Sequence, residues 1–225
     1  MKTLVLDHST RGNLTRDAVL QAATAAFAAD GYDKVTLRAL AIQAGVNQSL
    51  IGYHFGNKQG LYQAVFVAIA THIRARLDPG MAAAEAALDR TGPGGAGRDD
   101  DFAVLCRLTD GLLDLMTDPV ADGWAQLIIR EQQRPSDAFG ILYNGFMGRF
   151  LGLLARLAER LRGSITEPEA RLLACTILGQ ILAFRVARAG VLRLMAWSEI
   201  DKTRTAAIRA CLHRNLRALL APTGP

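Results

Sequence analysis

The chain has 225 residues, of which 50% are hydrophobic, and it carries a formal net charge of +5 at pH 7. Ala and Leu dominate over Val and Thr, and no strand-like alternation is present, which favours an all-α fold. The N-terminus lacks the apolar run of a signal peptide, and no uninterrupted apolar stretch reaches the length of a membrane span. We therefore expect a cytoplasmic protein with no membrane partner.

The positive charge is unevenly distributed along the chain. Residues 1–76 hold eight basic and four acidic side chains, a net charge of +4, whereas the remainder holds 18 basic and 17 acidic side chains. A basic segment of this kind permits a nucleic-acid partner. The N-terminal third is therefore the place to look for a DNA-binding element.

The first predicted helix follows an N-terminal arm. Residues 1–13 show no periodic pattern, so we expect a mobile arm there, although an arm carrying Lys2 and Arg11 could reach a minor groove. Thr15 is a suitable N-cap, an apolar stripe follows it at helical spacing, and Gly31 can end the helix. This helix would brace the segment that follows.

The segment Thr36–Leu61, reading TLRALAIQAGVNQSLIGYHFGNKQGL, has the pattern of a helix-turn-helix motif. Apolar residues recur at helical spacing before Gly45, which can adopt the left-handed conformation that stops a helix. Asn47 can then cap the next helix. The alternative is an ordinary corner between two helices of an all-helical protein.

The second helix of the motif, over about residues 48–54, is too short to be stable alone, so packing must hold it. We predict that Leu50 and Ile51 face inward and that Val46 and Phe55 anchor the two ends of the helix. Hydrogen-bonding and small side chains are then left on the outer side, where they suit insertion into a major groove. These outer residues are Gln48, Ser49, Gly52, Tyr53 and His54.

A phosphate contact is predicted at the start of the next helix. Asn57 can cap this helix, which places Lys58 in its first turn. Open backbone amides at a helix N-terminus and a lysine together favour a phosphate.

Helices are also predicted for the rest of the chain. The helix from Lys58 runs to about Leu77 and is broken by Asp78-Pro79-Gly80, after which a short helical piece precedes a Gly-rich polar loop over residues 91–101. Further helices are predicted over about residues 99–117, from 118 to Pro135, and from there to Gly163. Thr166 with Glu169 forms a capping box that opens a helix to about Ala189, and Ser198 with Asp201 opens the last.

The sequence contains no pattern typical of an enzyme or a metal site. No nucleophile stands near a base pattern, no phosphate loop is present, and Cys211 with His213 matches no common zinc spacing. Cys106, Cys175 and Cys211 lie in apolar helical patterns, so we expect buried, reduced thiols, with a disulfide or a redox sensor as the alternative. No catalytic residue, metal or cofactor is predicted.

The stretch GVNQSLIGYHFGNKQGL resembles the recognition segment of TetR-family transcriptional regulators, in which a Gly-Val turn precedes an aromatic-His-Phe run and then a lysine. The resemblance implies that Thr36 and Lys58 hold phosphates and that Tyr53 and His54 touch backbone and base edges. It also implies that Phe55 belongs to the core. The sequence departs from the family at Gly52, where members more often carry Tyr or Asn, and a possible base contact is lost. The predicted DNA-binding residues are Thr36, Arg38, Gln48, Ser49, Gly52, Tyr53, His54 and Lys58.

The stretch WAQLIIREQQRPSDAFGILYNGF resembles the ligand domain of the CecR-like branch of this family. The family resemblance implies a two-fold dimer in which the final two helices of each chain pair with their symmetry mates, so that two recognition helices read a near-palindromic operator. A stripe of Phe, Tyr and Met in the long helix predicted to end near Gly163 is usually core, and pocket lining is the alternative. The predicted effector-binding residues, which rest on helix pattern and family position, are Trp124, Arg130, Tyr143, Phe146, Phe150, Gln180, Phe184 and Arg185.

We therefore predict an all-α homodimer with a DNA-binding helix-turn-helix domain over residues 1–57 and an effector-binding and dimerisation domain over residues 58–225. The predicted function is repression of transcription. Affinity for double-stranded operator DNA would fall when a hydrophobic or amphipathic small molecule binds one state of the dimer better than the other. The alternatives are an effector-independent dimeric regulator and a helical enzyme.

Overall fold

The computed structural model describes residues 8–90, 97–163 and 165–221. Within these ranges the regular elements are helices and no strand occurs, which confirms the predicted all-α fold. The helices are α1 (His8–Asp30), α2 (Leu37–Ala44), α3 (Gln48–Phe55), α4 (Lys58–Leu88), α5 (Arg98–Thr117), α6 (Asp122–Gln133), α7 (Asp137–Leu142), α8 (Gly148–Arg162), α9 (Glu167–Val186), α10 (Arg188–Leu194) and α11 (Lys202–Leu219).

Helix α1 begins earlier than the sequence predicts. The arm was expected to reach residue 13, but the helix is already formed at His8, while Lys2 lies outside the described residues. Residues 8–14 contain no proline, and Gly12 costs a helix only about 1 kcal/mol relative to alanine, so the helix continues through them. Gly31 ends the helix with a φ of 81°, as predicted.

The predicted break at Pro79 is wrong, because α4 continues through it to Leu88. Proline removes one backbone hydrogen bond, which packing and ion pairs can offset. Arg149 provides such a link. Its guanidinium contacts Asp78, before the proline, at 2.9 Å and Glu85, after it, at 2.7 Å. The two halves of the helix are therefore held in line across the proline.

The segment from Asp137 to Arg162 was predicted as one helix, and the structure inserts a π-helical turn, Tyr143–Met147, between α7 and α8. An 18-residue window of this 26-residue segment has a mean hydropathy of 1.3, long and apolar enough to span a membrane by length and composition, although Asn144 and Arg149 interrupt its apolar run. Its apolar stripe is nevertheless buried in the protein core. The stripe consists of Phe146, Phe150, Leu153, Leu154 and Leu157.

Helix α9 ends at Val186 and a bend of 78° separates it from α10, which the sequence did not predict. The predicted capping box is confirmed, since the Thr166 N–H donates to Glu169 Oε2 at 2.7 Å. Asp201 caps α11 by accepting from the Arg204 N–H at 2.8 Å. Residues 91–96 of the predicted loop lie outside the described part of the chain.

The chain divides into two compact units. Unit 1 consists of Met1–Thr71 and Asp122–Gly145, and unit 2 consists of His72–Ala121 and Phe146–Pro225. Unit 1 has a core that includes Phe27, Leu40, Ile51, Leu61 and Phe66. Unit 2 has a core that includes Leu77, Leu113, Leu154, Ile177 and Leu216. The division by role at residues 57 and 58 stays a prediction.

Candidate DNA-binding site

The turn between α2 and α3 has the geometry that the sequence predicts. Gly45 adopts a left-handed conformation with φ 66° and ψ 31°, and the Val46 N–H donates to the Ala41 carbonyl oxygen at 2.9 Å. A side chain with a Cβ rarely adopts this φ, so glycine at this position sets the angle between the two helices. Asn47 then caps α3, because its Oδ1 accepts from the Ser49 N–H at 2.9 Å.

Helix α3 is anchored on one side only. Ile51 is fully buried, and Leu40 and Ala41 of α2 are buried as well, whereas Phe55 is half-buried with the Arg16 guanidinium 5.7 Å from its ring centroid. The prediction that Phe55 belongs fully to the core is therefore too strong. A helix of eight residues needs such packing, since its own backbone hydrogen bonds do not stabilise it sufficiently.

The opposite side of α3 is open to solvent and differs from the prediction at one residue. Gln48 and Ser49 are exposed as predicted, and Tyr53 is 83% exposed. Leu50 was predicted to face inward but is 39% exposed. Successive residues of a helix are separated by about 100°, so a side chain next to buried Ile51 can lie on either flank, and tertiary packing places Leu50 on the solvent side.

Gly52 and His54 lie at the edges of this exposed face. Gly52 is half-buried, and a Cβ at this position would meet no atom within 4 Å, so space for the predicted close approach is present. The His54 ring is half-buried and packs edge-on against Tyr53, with ring centroids 5.2 Å apart. Tyr53 is therefore held by its neighbour while its hydroxyl end stays open.

Thr36 and Arg38 lie at the start of α2, and both are exposed. The Thr36 hydroxyl caps the helix by accepting from the Ala39 N–H at 3.2 Å. A capping hydroxyl can still donate its own hydrogen to a phosphate, so the cap is compatible with the predicted contact.

Lys58 is the first residue of α4 and is held by two contacts. Its Nζ donates a hydrogen bond to the Asp33 carbonyl oxygen at 3.1 Å and lies 4.5 Å from the centroid of the Tyr32 ring. An ammonium group has three N–H donors, so two remain for a phosphate. Asn57 caps α4 as predicted, since its Oδ1 accepts from the Gly60 N–H at 2.9 Å.

Gly60 allows α4 to approach α3 closely. A Cβ at this position would overlap the carbonyl oxygen of Phe55. Replacement of this glycine would therefore shift α4 relative to the helix that carries Tyr53. This role of Gly60 was not predicted from the sequence.

The predicted effector-binding residues are divided between the two units. Trp124, Arg130 and Tyr143 belong to unit 1, and the other five belong to unit 2. Trp124, Phe146, Phe150 and Arg185 are buried, whereas Tyr143 is 48% exposed. In unit 2, the Gln180 Oε1 accepts from Asn215 Nδ2 at 3.2 Å, Phe184 is half-buried, and Arg185 donates to the Asp118 carbonyl oxygen at 2.6 Å.

Unit 1 contains a cleft of about 760 Å³, and Arg130 is the one predicted effector residue that lines it. The Arg130 guanidinium donates to the Phe27 carbonyl oxygen at 2.8 Å, which attaches α6 to α1. The other lining residues are Tyr32, Asp33, Gln59, Tyr62, Gln63, Glu131, Gln133, Arg134, Ser136, Asp137 and Ala138.

A buried carboxylate at this cleft was missed in the sequence analysis. Glu131 is buried, and it accepts hydrogen bonds from the Tyr62 hydroxyl at 2.9 Å and from the Ser136 N–H at 2.9 Å. Burial and the adjacent carboxylate raise the pKa of Tyr62 above its ordinary value. The burial of Glu131 could have been predicted, because it follows Leu127 by one helical turn on the apolar side of α6.

Comparisons with known proteins agree with this architecture. Residues 19–65 match the profile described as bacterial regulatory proteins, tetR family. Residues 104–222, more than half of the chain, match the profile described as HTH-type transcriptional dual regulator CecR, C-terminal domain. A similar protein from Shigella flexneri, named HTH-type transcriptional dual regulator CecR, is 28% identical over 197 residues, which are 87% of this chain and 86% of that protein.

Solved structures share the fold at low sequence identity. AibR in complex with isovaleryl coenzyme A and operator DNA has a TM-score of 0.62 and 12% identity, covering 92% of this chain and 99% of AibR. A TetR-like transcriptional regulator from Rhodococcus sp. RHA1 has a TM-score of 0.59 and 22% identity, covering 95% and 98% of the two chains. The profiles confirm both predicted resemblances: the chain belongs to the TetR family, carries a CecR C-terminal domain, and is a DNA-binding transcriptional regulator rather than an enzyme.

Proposed function

We propose that the protein is a homodimeric repressor that binds a near-palindromic operator and releases it when a small-molecule effector binds. The observation that carries the DNA-binding part is the two-sided character of α3. Ile51 anchors one side in the core, while Ser49 and the 83% exposed Tyr53 project from the other. An anchored short helix with an open polar face is the arrangement that enters a major groove.

The head proposed to bind DNA consists of residues 1–57, with Lys58 directly after it. Gln48, Ser49, Tyr53 and His54 would meet bases and nearby backbone, with Gly52 leaving space for close approach. Thr36, Arg38 and Lys58 would meet phosphates. Phosphate contacts contribute affinity and register but no sequence information, whereas the outer face of α3 would supply selectivity.

An exposed stripe on α9 supports the proposed homodimer. Its apolar ends, Leu172 and Val186, are 66% and 61% exposed, and small residues lie between them at helical spacing. A Cβ at Gly179, near the middle of the stripe, would meet no atom of the chain within 4 Å. Small residues between apolar ends allow a second helix to approach closely, so this face fits a symmetry-related copy. The stripe consists of Leu172, Cys175, Thr176, Gly179, Ala183 and Val186.

The final helix carries a similar exposed face. Its small side chains point to solvent on the side away from buried Ile208, Leu212 and Leu216. Together, α9 and α11 would form the four-helix interface with the partner copy. The exposed small residues of α11 are Ala206, Ala207, Ala210, Cys211 and Ala218.

A buried polar atom supports the effector part of the proposal. Trp124 is 7% exposed, and among the described residues no hydrogen-bond acceptor contacts its Nε1. A buried donor without an acceptor costs about 1 to 3 kcal/mol, which the oxygen of a bound ligand would recover. AibR was solved with isovaleryl coenzyme A, a ligand that joins an apolar acyl group to polar groups. We propose an amphipathic effector with a carbonyl or carboxylate oxygen, acting in the cytoplasm.

An effector would change transcription only if it bound the released state and the DNA-bound state of the dimer with different affinities. An effector that binds the released state about 100-fold better than the DNA-bound state shifts the equilibrium between them by about 100-fold. A protein that uses its C-terminal domain only to dimerise would show no such shift. The Shigella flexneri relative is named a dual regulator, so the test has to register increases as well as decreases in transcription.

The experiment is binding of the purified full-length protein to its own promoter DNA at two salt concentrations, with and without a panel of amphipathic compounds. Shuffled DNA of equal length is the control for selectivity. In vitro transcription from the same promoter gives the sign of regulation. Selective, salt-sensitive binding that one compound releases supports the whole proposal. Selective binding that no compound changes favours the effector-independent regulator. Equal binding to promoter and shuffled DNA contradicts the proposal.

A further inference from the structure

The exposed face of α3 contains one apolar side chain that the DNA-binding residues named above do not include. Leu50 is 39% exposed, while the adjacent Ile51 is fully buried. Leu50 and Tyr53 are three positions apart in the helix, so their side chains lie on the same side. Leu50 therefore shares the open face with Tyr53 and Ser49.

Leu50 also lies in the part of α3 that first meets DNA in helix-turn-helix proteins. Its N–H donates to the Asn47 carbonyl oxygen at 3.0 Å, which places it in the first turn of the helix. In this motif the N-terminal residues of the recognition helix contact the base edges. An exposed leucine at this position would therefore face the base edges in the proposed complex.

The chemistry of the major groove limits what such a residue can recognise. The base edges present hydrogen-bond donors and acceptors, and the thymine 5-methyl group is the apolar group among them. A leucine side chain has no hydrogen-bonding atom, so it gains from a methyl group. Against a polar base edge it displaces water without replacing the lost hydrogen bond.

We propose that Leu50 contacts a thymine 5-methyl group in each operator half-site and thereby makes the protein select thymine at that position. This inference rests on the proposed entry of α3 into the major groove. Tyr53 shares the exposed face and is a competing candidate for the same methyl group, so the experiment has to separate the two residues.

The experiment replaces thymine with deoxyuridine, which removes the methyl group and leaves the hydrogen-bonding edge unchanged. Wild-type protein first selects its operator from random DNA, and each thymine of a half-site is then replaced in turn. One buried methyl group corresponds to about a fourfold loss of affinity at one thymine. Replacement at the equivalent thymines of both half-sites corresponds to about a 15-fold loss.

Two variants assign the effect to a residue. Leu50→Ala should bind thymine and deoxyuridine operators equally well, because the apolar contact is already lost. Ile42→Ala removes apolar surface from α2, where Ile42 is 74% exposed, and should keep the full dependence on the methyl group. For each variant, the affinity for the thymine operator is divided by the affinity for the deoxyuridine operator. A general loss of stability in Leu50→Ala lowers both affinities and therefore cancels in this ratio.

Two results would overturn the inference while leaving the proposed function intact: selective binding with no thymine whose methyl group matters, or a methyl dependence that Leu50→Ala retains. The second would assign the methyl group to another residue, and Tyr53→Ala would test that. Failure of the wild-type protein to select any operator would overturn the proposed function and this inference together.

Discussion

The hydroxyl group of Tyr62 donates a hydrogen bond to the buried carboxylate of Glu131 over a distance of 2.9 Å. The two residues belong to α4 and α6 and are 69 positions apart in the chain. The Ser136 N–H and hydroxyl complete the hydrogen bonding of the same carboxylate. A buried carboxylate needs such donors, so these contacts fix α6 to the first part of α4 inside unit 1.

Replacement of Tyr62 by phenylalanine should destabilise the protein. The change removes one donor from the buried Glu131 carboxylate while leaving the aromatic ring in place, and it should lower the free energy of unfolding by about 1.5 kcal/mol. Urea denaturation of both proteins measures the difference. Tyr53→Phe is the matched control, since that hydroxyl is exposed and should change stability by less than about 0.5 kcal/mol. Equal stability of Tyr62→Phe and wild type would show that this hydrogen bond does not contribute.

Replacement of Tyr53 or His54 by alanine should weaken operator binding by about tenfold or more, because each side chain is proposed to meet the groove. Fluorescence anisotropy with labelled operator measures the affinity. Analytical ultracentrifugation should show unchanged dimers, since neither residue lies on α9 or α11. If operator affinity stays at the wild-type value in both variants, the groove assignment of α3 is incorrect.

Lys58→Ala should weaken binding to all DNA sequences to a similar degree. A dimer that loses two phosphate contacts should show a salt slope, log affinity against log salt, that is smaller by about 2. Lys202→Ala is the matched control, because it removes the same charge from α11 and should leave the slope unchanged. A salt slope for Lys58→Ala that equals the wild-type slope would mean that Lys58 touches no phosphate and only holds the Asp33 carbonyl oxygen.

Gly179→Arg should separate the dimer into monomers. A Cβ at this position meets nothing within the chain, so the monomer can fold, but a long charged side chain would block a helix of a second copy. Gly152→Arg is the matched control, since Gly152 is also helical, exposed and free of neighbours within 4 Å. Sedimentation velocity measures the mass of each variant. Dimers of Gly179→Arg would place the interface elsewhere.

Cys175 is exposed in the single chain and lies on the α9 stripe, so the proposed dimer interface should cover it. Iodoacetamide should alkylate Cys175 slowly in the wild-type dimer and quickly in Gly179→Arg. Cys106 should resist alkylation in both proteins, because burial raises the pKa of its thiol to about 11. Peptide mass spectrometry separates the cysteines. Equal alkylation rates at Cys175 in the two proteins would argue against a covered stripe.

Trp124 should report the effector directly. Trp197→Phe leaves Trp124 as the single tryptophan, and its emission should change when an effector accepts a hydrogen bond from Nε1. Trp124→Phe should lower effector affinity by about fivefold, the value of one hydrogen bond of about 1 kcal/mol. Isothermal titration calorimetry measures this loss. An unchanged effector affinity would remove Trp124 from the predicted set.

The local signals of the head could be predicted from the sequence, because they depend on neighbouring residues. Gly45, Asn47 and Asn57 each perform the capping or turning role that their chemistry indicates. Leu50 could not be placed correctly, since its side is decided by the packing of Ile51 against the rest of unit 1. The thiols show the same limit. Cys106 is buried as expected, whereas Cys175 and Cys211, predicted to be buried, are exposed.

Long-range contacts explain the remaining differences. Pro79 has the usual properties of a helix breaker, but core packing of Leu77 and Met81 on either side of it and the ion pairs of Arg149, about 70 residues later, support the continuing helix. The Tyr62 and Glu131 pair likewise joins two helices whose sequences give no sign of their contact. The predicted effector residues followed helix pattern and family position, and the structure divides them between two units.

The discontinuous composition of unit 1 limits how its head could be exchanged with that of another regulator. The chain leaves this unit after Thr71, returns at Asp122 and leaves again after Gly145. A chimaera joined at residue 57 would pair the new head with a foreign α6 and replace the segment of Phe27, whose carbonyl oxygen accepts from Arg130. A joint at residue 71 would also remove Tyr62, the partner of Glu131. A functional transplant would have to include residues 122–145 along with the helix-turn-helix motif.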